Sequence, residues 1–307
     1  MVNLKLQFPE NFFQEEIRND YLVSQEMKRI WAVELDLLAE FMRVCKKHNI
    51  TFYGDAGTIL GAARHGGMIP WDDDIDVMLL RDQYYKLCEI APKEFRHPYF
   101  FQTEYTDPGS LRGHAQLRNS ETTAILKGEL KYKYQFNQGI FLDIFPIDNL
   151  PDNEKDLKLL TQNAINMRNA FLKKGNWSSR FASAANPMKS ILKKIIFKIT
   201  SGPLRLFFDS HQAYIDYEKE ISKYNTINTK RVGKLVLLPF KPRRIWQRSW
   251  FESVTYLPFE FLEIPVPSGH IELLDQFYGD WHEFVVGTAT HGGTFFDVEK
   301  PYTEYIK

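Results

Sequence analysis

The chain has 307 residues, 44% hydrophobic and 15% aromatic, enough to bury one large core or two smaller ones. Its 39 basic and 39 acidic residues leave no formal net charge, which argues against a protein that grips nucleic acid through bulk charge. The two cysteines, Cys45 and Cys88, have no metal-ligand spacing, and no run reaches the roughly 20 apolar residues of a membrane span or forms a signal peptide, so a reduced, cytoplasmic protein is expected.

Residues 3–8 alternate weakly and predict a short strand ended by Pro9. Between Asn19 and His48, apolar residues recur at spacings of three and four, the mark of an amphipathic helix; Ser24 or Asp20 suits its cap. A short strand at 50–53 then leads into a glycine turn, where Gly54, Gly57 and Gly61 permit close backbone approach. Thr58 to Arg64 opens a helix whose first amides can face an anion. After Pro70-Trp71 comes a predicted strand from Asp74 to Leu80. On a strand Asp74 and Asp76 project from one side, roughly 6–7 Å apart, a spacing for sharing a divalent metal. Asp72 and Asp73 either help hold that metal or orient the loop. An EF-hand is excluded, because Val77 stands where glycine is needed and Gln83 where glutamate is needed. A helix over 81–94 follows.

Strands are expected at 99–104 and 114–118, separated by a polar loop with Asn119, Thr122 and Thr123 from the apolar stretch GIFLDIFPI at 139–147. Asp143 sits in the middle of that stretch, and a buried carboxylate there must be paired or metal-bound. Beyond Pro151, 153–174 and 205–224 read as helices. The lysine-rich apolar segment 187–208 reads either as a helix on an anionic membrane surface or as a core helix with a solvated lysine face. The tail is rich in aromatics and prolines, with a helix at 269–278 and then His291 and Asp297.

The run GDAGTILGAARHGGMIPWDDDIDVML resembles the signature of LicD-type phosphocholine transferases, a family of the nucleotidyltransferase-fold superfamily that includes the fukutin-type ribitol-phosphate transferases. LDIFPID at 142–148 and VPSGHIELLDQFYGDW near the end are similar to further blocks of that family. Two departures stand out: Ala56 precedes Gly57-Thr58 where relatives often carry glycine, and Gly66-Gly67 replaces bulkier residues, which predicts a more open loop on the substrate side.

The resemblance implies an α/β (α+β) fold, a mixed-sheet nucleotidyltransferase-like core flanked by helices. The implied division is a catalytic core over 1–150, a mainly helical variable region over 151–245 and a closing segment over 246–307. It implies magnesium, or manganese, held by Asp74, Asp76 and Asp143, and a transferase that moves phosphocholine or a similar group from a CDP-linked donor to a sugar hydroxyl of a glycan or lipid-linked precursor, as in lipopolysaccharide or teichoic acid modification. CMP leaves. Gly57, Thr58 and Arg64, with Arg118 as the weaker candidate, are expected at the donor phosphate, while His65 and His291 serve either as acid, base or phosphate contacts or as structural hydrogen-bonders. Two other readings stay open: a nucleotidyltransferase that releases pyrophosphate, and a non-catalytic scaffold for glycan assembly, docked at the inner face of a membrane through 187–208.

Overall fold

The computed structural model describes residues 2–182, 210–236, 242–287 and 293–307. The predicted strand at 3–8 does not form, because the amides of Lys5 and Leu6 both donate to Asp36 Oδ1 at 2.8 Å instead of to a neighbouring strand. A small hairpin of β1 (Glu16–Arg18) and β2 (Tyr21–Val23) precedes α1 (Gln25–Lys47). Ser24 caps α1, its side chain accepting from the Met27 amide, and the apolar face of the helix packs on the sheet.

The predicted strand at 50–53 shrinks to β3 (Tyr53–Gly54), and α2 (Ala56–His65) follows at once. Then come β4 (Asp76–Leu80), α3 (Arg81–Glu94), β5 (Tyr99–Gln102), β6 (Ala115–Asn119), β7 (Thr123–Leu126) and β8 (Ile140–Leu150). Among the later described residues are α4 (Glu154–Ala182), α5 (Ser210–Ser222), β9 (Arg231–Gly233), β10 (Ile245–Gln247), β11 (Val254–Phe259), β12 (Leu262–Pro267), α6 (His270–Tyr278) and β13 (Thr294–Asp297). The segment 187–208 lies outside the described residues.

A seven-stranded mixed sheet organises the molecule, in the order β10-β9-β8-β4-β3 with β6 and β5 added beside β8. The fold is therefore the expected mixed α/β type. The long central strand β8 runs parallel to β4 and antiparallel to β6 and β9, and its near-continuous apolar composition follows from being covered on both faces. The register sets Asp76 beside Asp143. Strands β7, β11 and β12 were not foreseen, the first because it follows a polar loop and the other two because they carry prolines. β7 begins at Thr123 and pairs with β13, and the proline-bearing β11 and β12 pair only with each other, where a missing amide donor is tolerated.

Candidate active site

The glycine turn and the start of β4 are stitched together by backbone. The Asp55 amide donates to the Asp76 carbonyl at 2.9 Å, and the Asp76 amide donates to Thr58 Oγ1 at 2.8 Å. Asp55 caps α2 by accepting from the Ala56 amide. Thr58, expected at donor phosphate through its backbone amide, donates that amide to the Asp55 carbonyl at 2.9 Å, and its buried hydroxyl fixes the strand that carries Asp76. Gly57 does border the site, and a Cβ there would stand 2.6 Å from Asp72 Oδ2, so only glycine leaves room for that carboxylate.

β4 begins at Asp76, so Asp74 lies in the loop ahead of it and the two do not share a strand as the alternation predicted. Loop residues Asp72, Asp73 and Asp74 bring carboxylate oxygens within 4.8 Å of one another, a tighter group than Asp74, Asp76 and Asp143. The loop is held from behind, where Trp31 Nε1 of α1 donates to the Asp72 carbonyl at 2.9 Å.

Burial pushes the carboxyls of Asp74 and Asp76 well above their ordinary range, and the negative charges of their neighbours, Asp143 among them, push them further. Asp72 is raised to about 6 by burial and then by Asp73. Asp143 goes the other way: burial raises it, but His114, Gln116 and Arg118 outweigh that and hold it below the usual value. His114 Nε2 lies 3.1 Å from Asp143 Oδ1, and Gln116 Nε2 donates to the same oxygen.

Arg118 does not reach the cavity. It is 1% exposed and donates to Gln102, Gly139 and Gln116, so it orients the amide that holds Asp143 and has no fork left for phosphate. Three further residues join the site through long-range contacts. Lys234 pairs with Asp55, both fully buried. Glu34 of α1 is buried beside the aspartates, its pKa raised by burial and then by Asp74 and Asp73, and its Oε2 has no hydrogen-bond partner. His114 is the third, its Nδ1 also unpartnered.

A cavity of about 640 Å³ opens over these groups, lined by Gly57, Arg64, Asp72, Asp73, Asp74 and Asp143 on one side. Trp71, Phe141, Tyr278, Trp281 and Phe296 form much of the rest, with Asp280 and Glu283 at the same wall. Arg64 donates to the carbonyls of Trp281 and Glu283 at 2.8 and 2.7 Å, so it anchors that wall as well as facing the cavity. His65 packs edge-on to Trp71 and Phe284. Burial, then the charges of Arg64 and Arg18, lower it to about 4, so it is neutral near pH 7. His291 lies outside the described residues. The loop after His65 is closed where an open one was expected: Glu260 accepts from the Met68 amide and from Arg18, and a Cβ on Gly67 would stand 2.3 Å from its carboxylate.

The donor set is all carboxylate oxygen, half-buried at the aspartates and mutually repelling, and includes the fully buried, orphaned oxygen of Glu34. A hard divalent cation such as magnesium or manganese fits those donors, with Asp74, Asp76 and Asp143 able to hold it and Asp72 alongside.

Residues 49–191 match the family described as LicD/FKTN/FKRP, nucleotidyltransferase domain. The chain is 28% identical over 260 residues to the lipopolysaccharide cholinephosphotransferase LicD of Haemophilus influenzae, spanning 80% of this chain and 88% of that protein. An uncharacterized protein of Rickettsia prowazekii is 37% identical over 57 residues, 19% of this chain and 21% of its own length.

Proposed function

This chain belongs to the LicD-type family, and from that premise we propose that it transfers phosphocholine, or a closely similar substituted phosphate, from a CDP-linked donor to a sugar hydroxyl of a cell-surface glycan or its precursor. CMP is released. The observation that carries the reading is the gathering of Asp72, Asp73, Asp74 and Asp143 at one cavity beside the Gly57 turn, with Asp76 set next to Asp143 by strand register. Carboxylates raised by burial and by one another repel a bare phosphate, so the same groups that need a cation make donor binding depend on it.

Asp74, Asp76 and Asp143 would hold magnesium, which when bound would supply charge neutralisation on the donor phosphates. The chain's own residues do the rest. His114 and Gln116 fix the Asp143 carboxylate, Thr58 and Asp55 fix the backbone of Asp76, and Trp31 fixes the Asp72 loop. Trp71, Tyr278 and Trp281, with Asp280 and Glu283, offer aromatic faces and negative charge to a quaternary ammonium head group.

The test is magnesium-dependent CMP release from CDP-choline, run beside CDP-ethanolamine, CDP-ribitol and CDP-glycerol with a glycan acceptor. Pyrophosphate released from a nucleoside triphosphate would point to nucleotidyl transfer. No turnover of any donor, together with no binding of magnesium, would leave the scaffold reading. Among the described residues no helix is long and apolar enough to cross a membrane; the proposed site of action is the cytoplasmic face, with 187–208 as the segment to test for binding to anionic vesicles.

A further inference from the structure

Among the described residues, Arg244 stands near the carboxylate face with two guanidinium nitrogens that have nothing to bond. It closes the turn ahead of β10, and its Nε and Nη1 are shielded from solvent with no hydrogen-bond partner. Leaving charged donors shielded from water and unpaired is costly.

Its position is set by strand pairing. Ile245 sits opposite Gly233, and the Lys234 amide donates to the Arg244 carbonyl at 3.3 Å, so Lys234 and Arg244 are cross-strand neighbours on one face. Lys234 identifies that face. Its ammonium stands 4.7 Å from the ring centroid of Phe145, two residues beyond Asp143 on β8 and therefore on the same side of the sheet. Two like charges directly opposite one another destabilise a sheet unless anions meet them. Lys234 has its anion in Asp55. Asp55 is already engaged through Oδ2 with Lys234 and through Oδ1 with the Ala56 amide.

We propose that Arg244, with Lys234 at its side, is an anion-binding side chain that holds a phosphate of the nucleotide donor through Nε and Nη1. An arginine fork matches phosphate oxygens in geometry as well as charge, and a phosphate held between the metal-binding carboxylates and this basic pair satisfies both. Burial lowers the Arg244 pKa and the nearby Arg243 lowers it further, while Asp55 opposes them, so this guanidinium gains from an added anion. The inference rests on the nucleotide-donor reading for its choice of ligand, though the orphaned donors stand apart from it.

The experiment compares full-length wild type, Arg244→Gln and Arg244→Lys by calorimetry, with manganese alone, magnesium pyrophosphate and magnesium CMP as probes. Expected are wild-type binding of pyrophosphate and CMP, a tenfold or greater loss in Arg244→Gln, a smaller loss in Arg244→Lys, and manganese affinity within about twofold in all three. Arg244→Gln binding both anions as wild type does overturns the proposal. So does wild type binding neither, or manganese affinity falling in step with the anions, which marks a structural role. If Arg244→Gln does not fold, Arg244→Lys decides, since unchanged anion affinity there refutes a bidentate fork. Arg244-dependent pyrophosphate binding without CMP release from CDP-choline sinks the transferase reading and leaves this one standing.

Discussion

The same two strands, β4 and β8, carry carboxylates at both ends and treat them in opposite ways. Where β4 begins, Asp76 stands beside Asp143, with Asp74, Asp72 and Glu34 close by, and the charge of Lys234 eases Asp76 without offsetting its acidic neighbours. Just past the end of β4, Arg81 Nε and Nη2 donate to the two oxygens of Asp148 at 2.7 Å each, Glu218 adds a second partner, and Asn225 caps Asp148 Oδ1. Both clusters are withdrawn from bulk solvent, the Arg81 end fully and the aspartate end in part. One ties its carboxylates to a bidentate arginine and the other gathers carboxylates with too little positive charge to meet them, and that deficit separates a site built to receive a cation from one built to hold elements together.

The comparison breaks if the two ends respond alike to mutation. Asp76→Asn should cost activity about a thousandfold, roughly 4 kcal/mol of transition-state stabilisation, while the metal-free protein melts no lower than wild type because a repelling charge has gone. Steady-state turnover and thermal melting in EDTA check both halves. Asp148→Ala should do the reverse. It strands the 2% exposed Arg81 without its main anion, and should destabilise by about 3 kcal/mol, read by urea unfolding, while manganese affinity of the folded fraction holds. Normal stability in Asp148→Ala would falsify the structural assignment.

Much of the acid-rich end was legible in the sequence, and the reason is locality. Gly57, Asp72, Asp74 and Asp76 fall within twenty residues, and Asp143 announced itself as the lone charge in an apolar strand. What surrounds them was not legible. Lys234 reaches Asp55 across 179 positions, His114 and Gln116 read only as strand residues, and Glu34 lies in a helix whose periodicity spoke only of packing. Arg118 shows the converse failure, since a basic residue near a phosphate motif looks like a ligand until its three hydrogen bonds are counted. Likewise strands 231–233 and 245–247, from a stretch expected to be mainly helical, extend the central sheet and deliver Lys234 and Arg244 to the carboxylate face.

Titration sharpens the contrast further. Asp72 is raised to about 6 in the fold against an ordinary 3.8, so its contribution to stability is fully present below about 4 and is lost as pH rises through 6. Metal-stripped protein should therefore melt progressively lower between pH 5 and pH 7. Magnesium should flatten that slope by supplying the missing positive charge. At the other end the Arg81 pKa lies far above this window: burial lowers it, but the charge and hydrogen bonds of Asp148 outweigh burial and hold it well above its ordinary value. Melting curves with and without EDTA across that range decide the matter, and a flat metal-free profile would remove Asp72 from the repelling group.

The smallest effect concerns the turn that feeds the acid-rich end. Ala56 has φ of +41°, a left-handed conformation that costs a residue with a Cβ about 1 kcal/mol relative to glycine. It is held there from both sides, by the Asp55 cap on its amide and by the two hydrogen bonds that tie the Asp55 backbone and the Thr58 hydroxyl to Asp76. Ala56→Gly relieves the strain in the folded state but loosens the unfolded chain, so the net gain should be no more than about 0.5 kcal/mol. If the turn's shape serves chiefly to place Asp76, the same variant should leave manganese affinity unchanged, because the hydrogen bonds that fix the geometry do not involve the lost methyl. A stability gain with weakened manganese binding would instead mean that the methyl itself stiffens the site, and would move Ala56 from a tolerated departure to a working part of the cluster.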